Sequence, residues 1–310
     1  MIHPLEQSII QTLAYFSLFS YPLTKRELQR YLLNIDAQMN DIEQALISLQ
    51  QQQQIVVISQ HIWLAKEKDT PLLVRQQRFW YAKQRLDIAK RAAKKLRYIP
   101  FIQAVFVCNQ LHITAHKGSD IDVFIIVKRN HIWMARLLAT LWLSLLGMRR
   151  HGSTIDNHIC LSFFCTDDAL DMARVALPDD IYLAYWLDIL IPVFDPDSYR
   201  EKIIQENAWA KKMIPKLGQP PHIDTQCIPD TRYAAAMRSI GERFLYSWIG
   251  KKISAYSKYL QVQKMKKNVH SKHGQTSTDV VIDDTMLKFH ERDRRAYYRD
   301  AWKAVCKRYE

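Results

Sequence analysis

Gly118-Ser119-Asp120-Ile121-Asp122-Val123-Phe124, running straight into Ile125-Ile126-Val127, constrains this chain more than any other segment. Successive side chains on a strand point to opposite faces, so Asp120 and Asp122 share one face two residues apart. The β-branched and aromatic residues that follow suit the interior of a sheet, which would hold the pair rigidly. Two carboxylates fixed side by side repel each other unless a cation neutralises them. The pair is therefore a candidate site for a divalent metal, with Gly118 and Ser119 forming the tight approach to the strand.

Val105-Phe106-Val107 reads as the preceding strand, with Asp120 and Asp122 on the next. With that spacing the segment resembles the nucleotidyltransferase superfamily, the group that includes the polymerase beta-like and minimal nucleotidyltransferases. The resemblance implies an α+β unit with a mixed sheet and flanking helices. It implies that Asp120 and Asp122 are catalytic and hold Mg2+ or Mn2+, and that the substrate is a nucleoside triphosphate whose nucleoside monophosphate passes to an acceptor hydroxyl. Nucleotide contacts would come from Asn109, Gly118, Ser119 and Ser162, and from Lys117, Lys128 and Arg136, which balance phosphate charge. The family's first strand ends in Gly-Ser, which lets the backbone approach a phosphate; here that slot holds Cys108-Asn109. The family's third carboxylate lies on a later strand, and the candidate strand, His158 to Cys165, has no acid. Cys160 or Ser162 stands in the equivalent position, with Asp156 and Asp167 flanking it.

The surrounding pattern divides the chain into four regions. Residues 1–68 read as three short helices and a hairpin, the order of a winged-helix-like domain, with Thr24 and Glu27 as a capping box. Its third helix, around Asp41 and Glu43, carries no Lys or Arg, which suits protein contact better than DNA phosphates. Residues 69–99 read as one long basic helix capped by Thr70 with Pro71 first. Residues 100–195 form the nucleotidyltransferase-like unit, with an apolar helix from His131 to Met148. Residues 196–310 read as a helical C-terminal region, with helices expected over Tyr199–Met213, Tyr233 to about Lys267, and Asp284–Tyr309. His290, Asp293 and Arg294 on the last could line a site.

Net charge is +13, unevenly spread. Nine basic residues between Arg75 and Arg97 face only Asp87, and eighteen basic residues against eight acidic lie between Arg232 and Glu310. Basic helical stripes are the electrostatic footprint of a polyanion, commonly nucleic acid, although a solvated face has the same composition. Five cysteines without C-x-x-C spacing argue for reduced thiols in a cytoplasmic setting. The most apolar stretch, Ile132 to Met148, contains Arg136 and is too short to span a bilayer, so no membrane partner is expected. Three readings stay open: an active nucleotidyltransferase, a catalytically degenerate relative that binds nucleic acid or protein, and a winged-helix regulator.

Overall fold

The computed structural model describes residues 3–66, 72–108, 111–152, 154–219, 227–267, 280–289 and 293–309. The N-terminal unit comprises α1 (Pro4–Ser17), β1 (Leu23–Thr24), α2 (Lys25–Tyr31), α3 (Met39–Gln51), β2 (Ile55–Ile58) and β3 (His61–Leu64), the strands pairing antiparallel in the order β1-β3-β2. The starts of α1 and α2 are capped locally, while Gln38 before α3 makes no side-chain cap. Thr24 Oγ1 accepts from the Glu27 amide at 3.3 Å and Glu27 accepts from the Thr24 amide at 2.8 Å, the expected reciprocal box. His3 and Glu6 form a second one ahead of Pro4.

The long helix α4 spans Leu72–Leu96, and the expected Thr70-Pro71 start lies outside the described residues. After it come β4 (Ile102–Val107), α5 (Leu111–Thr114), β5 (Ile121–Val127), α6 (Ile132–Leu145) and β6 (Ile159–Thr166). A single 3-10 turn at Met172–Val175 leads to α7 (Ile181–Ile189) and β7 (Ile191–Phe194). The remainder contains α8 (Tyr199–Glu206), α9 (Ala208–Met213), α10 (Arg232–Tyr246), α11 (Trp248–Lys267), β8 (Val280–Ile282), β9 (Met286–Phe289) and α12 (Arg295–Cys306).

Six strands form one mixed sheet in the order β7-β4-β5-β6-β9-β8; only β5 and β6 run parallel. On one face Val105, Val107, Val123 and Ile125 pack with α4 and α6. On the other, Phe106, Phe124, Ile126 and Phe163 pack with α7 and with the core of the N-terminal unit. Trp186 covers that second face, 5.4 Å from the Phe124 ring and 5.7 Å from Phe163. The Asp face of β5 is therefore apolar and closed along most of the strand, and opens only at its start.

Three expectations for the C-terminal region are corrected. The helix expected from Asp284 is instead strand β9 followed by α12 from Arg295: Met286-Leu287-Lys288-Phe289 adds to the edge of β6, which overrides a helical apolar spacing. The Tyr199–Met213 helix breaks at Asn207, whose buried side chain accepts from the Met172 amide and donates to the Leu170 and Ile203 carbonyls, each at 2.8 Å. The Tyr233–Lys267 helix breaks at Ser247; a Cβ at Gly250 would collide with the Leu245 backbone, so glycine permits the fold-back of α11 on α10. No helix among the described residues is long and apolar enough to cross a membrane.

Candidate metal centre

Asp120 precedes β5 by one residue and Asp122 is its second residue. Gly118 adopts φ +87° with open space around it, so the glycine serves the turn rather than close packing. Ser119 closes that turn: its amide and its hydroxyl both donate to the His116 carbonyl, at 3.1 and 2.9 Å. The expected phosphate contact from the Ser119 hydroxyl is thus already engaged in holding the loop.

The turn is fixed from behind by a residue that the sequence pattern assigned to a basic stripe. Arg85, 1% exposed, donates to the carbonyls of His116 at 2.6 Å and Ser119 at 3.2 Å and pairs with Asp156 at 3.2 Å. A buried guanidinium clamping two carbonyls sets where Asp120 leaves the turn. Arg85→Met should cost about 2 to 4 kcal/mol in denaturant unfolding and weaken cation binding about tenfold in calorimetry, with Arg85→Lys in between.

Across the parallel pairing, Asp122 lies beside Cys160. One ligand atom from each of Asp120, Asp122 and Cys160 falls within 4.8 Å of the others, the one such group of His, Cys, Asp or Glu among the described residues. Between Asp122 and Phe124, β6 carries one extra residue at Leu161-Ser162, a bulge that reshapes the strand beside the acids. Ser162 is 4% exposed, and its hydroxyl has no hydrogen-bond partner. It lies close enough to draw the Asp122 ionisation downward.

Burial first, then the neighbouring Asp120 carboxylate, push Asp122 up to about 6, while Cys160, Ser162 and Arg150 pull the other way. Burial and the two carboxylates also raise the Cys160 thiol. Arg150 donates to Asp120 at 2.5 Å and reaches the Cys160 sulfur at 3.9 Å. The half-exposed Arg150 thus balances the carboxylate pair from one side. An orphaned hydroxyl, two adjacent carboxylates and a thiol make a donor set that fits a divalent cation.

The other expected contributors divide. Cys108 lies under the site: its amide donates to the Asp122 carbonyl at 3.1 Å, and burial, then Asp122, push its thiol far up. Its partner Asn109 lies outside the described residues, as does His290. Lys117 is exposed on the turn. Lys128 does not join the site. It follows the far end of β5, about 20 Å from Asp122 at strand rise, beside Glu242 at 3.9 Å and the Tyr246 ring. Lys128→Ala should change stability by less than about 0.5 kcal/mol and leave cation and nucleotide binding unchanged in titration.

Arg136 has no carboxylate partner from the Asp motif; it donates to Gln261 at 2.7 Å and lies over the Phe289 ring. The two acids flanking β6 do not reach the pair either, since Asp156 is held by Arg85 and Asp167 accepts from the Arg129 amide at 2.8 Å. Asp293 is bound to Lys288 and Arg295 in a buried cluster with Asp180.

Four of the nine cations of the first basic stripe are engaged by internal partners. Arg75 holds Glu27 and the Pro22 carbonyl, Arg78 the Phe19 carbonyl, Arg85 the turn and Arg97 the Pro229 carbonyl. Lys83, Arg91, Lys94 and Lys95 remain exposed. In the N-terminal unit, a groove of about 640 Å³ between the starts of α1 and α3 is lined by Glu6, Asp36 and Asp41 and by no Lys or Arg, an electrostatic mismatch for DNA. Comparisons with protein-family models, curated proteins and solved structures find no significant match.

Proposed function

We propose that this chain is a nucleotidyltransferase-like protein that uses a divalent cation at Asp120 and Asp122 to transfer a nucleoside monophosphate to an acceptor hydroxyl. The observation that carries the reading is the convergence of Asp120, Asp122 and Cys160 at the open end of the β5–β6 pair. The order of strand, strand, helix and strand over β4, β5, α6 and β6, behind a winged-helix-like unit, is the order that the sequence resemblance implies and supports it further.

Asp120 and Asp122 would hold the cation, with Cys160 or the unpartnered Ser162 as the third group. The thiol tilts the set from Mg2+ towards Mn2+. Bound there, the cation would neutralise triphosphate charge and align the leaving group. Gly118 and Ser119 position Asp120, and Arg150 supplies cationic charge beside it. A nucleic-acid acceptor is favoured by the α10–α11 surface. Trp248, Tyr256 and Tyr259 are exposed there next to Lys251 and Lys252, with Lys252 4.0 Å above the Trp248 ring, an arrangement suited to stacking bases along a phosphate backbone.

The second reading, a fold that binds without catalysis, draws on Cys108 in the glycine slot and on Arg150 seated against Asp120. The two separate in one assay. With a labelled nucleoside triphosphate, Mg2+ or Mn2+ and a mixed RNA pool, the enzyme reading expects label on an acceptor, abolished by Asp122→Ala. Nucleic-acid binding that survives Asp122→Ala, with no label transferred under either metal, selects the binding module.

A further inference from the structure

A cavity of about 280 Å³ adjoins the carboxylate pair on the side of α6 and the segment that follows it. Its basic lining is Arg136, Arg149, Arg150 and His151, and no carboxylate among the described residues lines it; Cys160 forms part of the same wall. Three guanidiniums converge on this wall, and of them Arg150 alone is paired with a carboxylate, Asp120, among the described residues; two further cations side by side are unfavourable unless an anion completes the site. Arg136 is the most committed of them. Its Nε is buried without a hydrogen-bond partner, while its Nη1 is spent on Gln261 and its plane on Phe289. Burial and the Arg149 guanidinium push Arg136 down to about 10, the direction expected where cations crowd one another.

We propose that this cavity is a phosphate site whose occupancy is coupled to the cation site through Arg150, which is shared between the two. The volume lies just below the range of small-ligand pockets, which suits a phosphate group with its nearest substituent rather than a whole nucleotide. Guanidiniums bind such oxygens through paired donors. Arg150 connects the sites because it both lines the cavity and bridges to Asp120 at 2.5 Å. A cation at Asp120 repels that guanidinium, and a phosphate in the cavity gives it another partner. Each ligand therefore lowers the cost of binding the other, and reciprocity requires the same factor in both directions. The coupling half of the proposal rests on the cation reading given above; the phosphate half does not.

Sulfate, a tetrahedral dianion that complexes metal weakly, is titrated into the full-length protein by calorimetry with and without Mn2+, and Mn2+ is titrated with and without sulfate. Each ligand is expected to tighten the other about tenfold. Arg136→Gln should weaken sulfate binding and leave Mn2+ affinity in the absence of sulfate unchanged. Arg150→Gln should tighten Mn2+ binding without sulfate and abolish the coupling. Inorganic phosphate and a nucleoside 5′-monophosphate, run in parallel, distinguish a free anion from an ester, and dependence of either on Arg136 supports the site. Sulfate binding indifferent to Arg136→Gln and Arg149→Gln overturns the phosphate site. Equal Mn2+ affinity in wild type and Arg150→Gln overturns the coupling. Arg136-dependent sulfate binding with no Mn2+ binding in any variant removes the cation reading and the coupling, and leaves the phosphate site standing.

Discussion

Asp188→Ala is expected to lower stability by about 3 to 5 kcal/mol, although the residue lies outside the candidate site. Asp188 is fully buried on α7 and accepts from Arg30 of α2 at 3.3 Å and from the Gly218 amide at 2.9 Å. Its partner Arg30 is 3% exposed and also donates to the Gln219 carbonyl at 2.9 Å. Removing the carboxylate takes the Asp188 charge from a buried guanidinium and the acceptor from the Gly218 amide, the costly half of a broken ion pair. The same pair joins the N-terminal unit to the sheet domain, reinforced by Tyr185, which stacks on Tyr15 at 4.3 Å and donates to the Tyr31 carbonyl at 2.7 Å. Denaturant unfolding of Asp188→Ala should show the loss as a shifted midpoint. A second variant, Arg30→Met with Asp188→Leu, should recover much of it, because an apolar pair of similar volume has no charge to desolvate. Equal loss in the single and double variants would show that geometry at Gly218, rather than charge, dominates.

Asp122→Asn should act in the opposite sense on stability and abolish cation binding. Asp122 ionises near 3.8 when unfolded and about 6 in the fold, so between those values the folded state holds more protons than the unfolded one. Stability therefore falls as pH rises through that window, and above pH 6 the full penalty is present. At about 1.4 kcal/mol per unit it amounts to about 2 to 3 kcal/mol at neutral pH, which the neutral amide avoids. The Asp122→Asn variant is thus expected to melt at a higher temperature than the parent at about pH 7.5 and at the same temperature near pH 4, where the carboxyl is already protonated. Mn2+ should stabilise the parent and not the variant. Loss of stability on Asp122→Asn at neutral pH would show that the carboxylate is already neutralised inside the fold. A residue whose ionisation destabilises the free protein is the expected mark of a functional position.

Much of the Asp120-Asp122-Cys160 cluster was legible in the amino-acid order because it depends on strand alternation. Asp120 and Asp122 share a face by geometry alone, and the apolar run behind them forces the strand inward. The strand that carries Cys160 and Ser162 was legible as a strand from its apolar and aromatic run, but its parallel pairing with β5 was not. Thr24 and Glu27 formed their capping box because capping is settled within one turn.

Long-range choices were not legible. Arg85 reads as one cation in a basic stripe, and only the docking of α4 behind the turn makes it the clamp on His116 and Ser119. Lys128 reads as near the motif, yet strand length carries it to the other end of the sheet. Met286 to Phe289 reads as helical until the open edge of β6 supplies hydrogen-bond partners. Arg149 and Arg150 merely follow the apolar run from His131 to Met148 in sequence, and tertiary contact turns them into the wall of a cavity shared with Arg136. The order of residues determined which side chains share a strand face and where helices begin, because those depend on neighbours within a few positions. The tertiary structure decided which charges are paired and which converge on a common cavity, because a charge finds its partner through space.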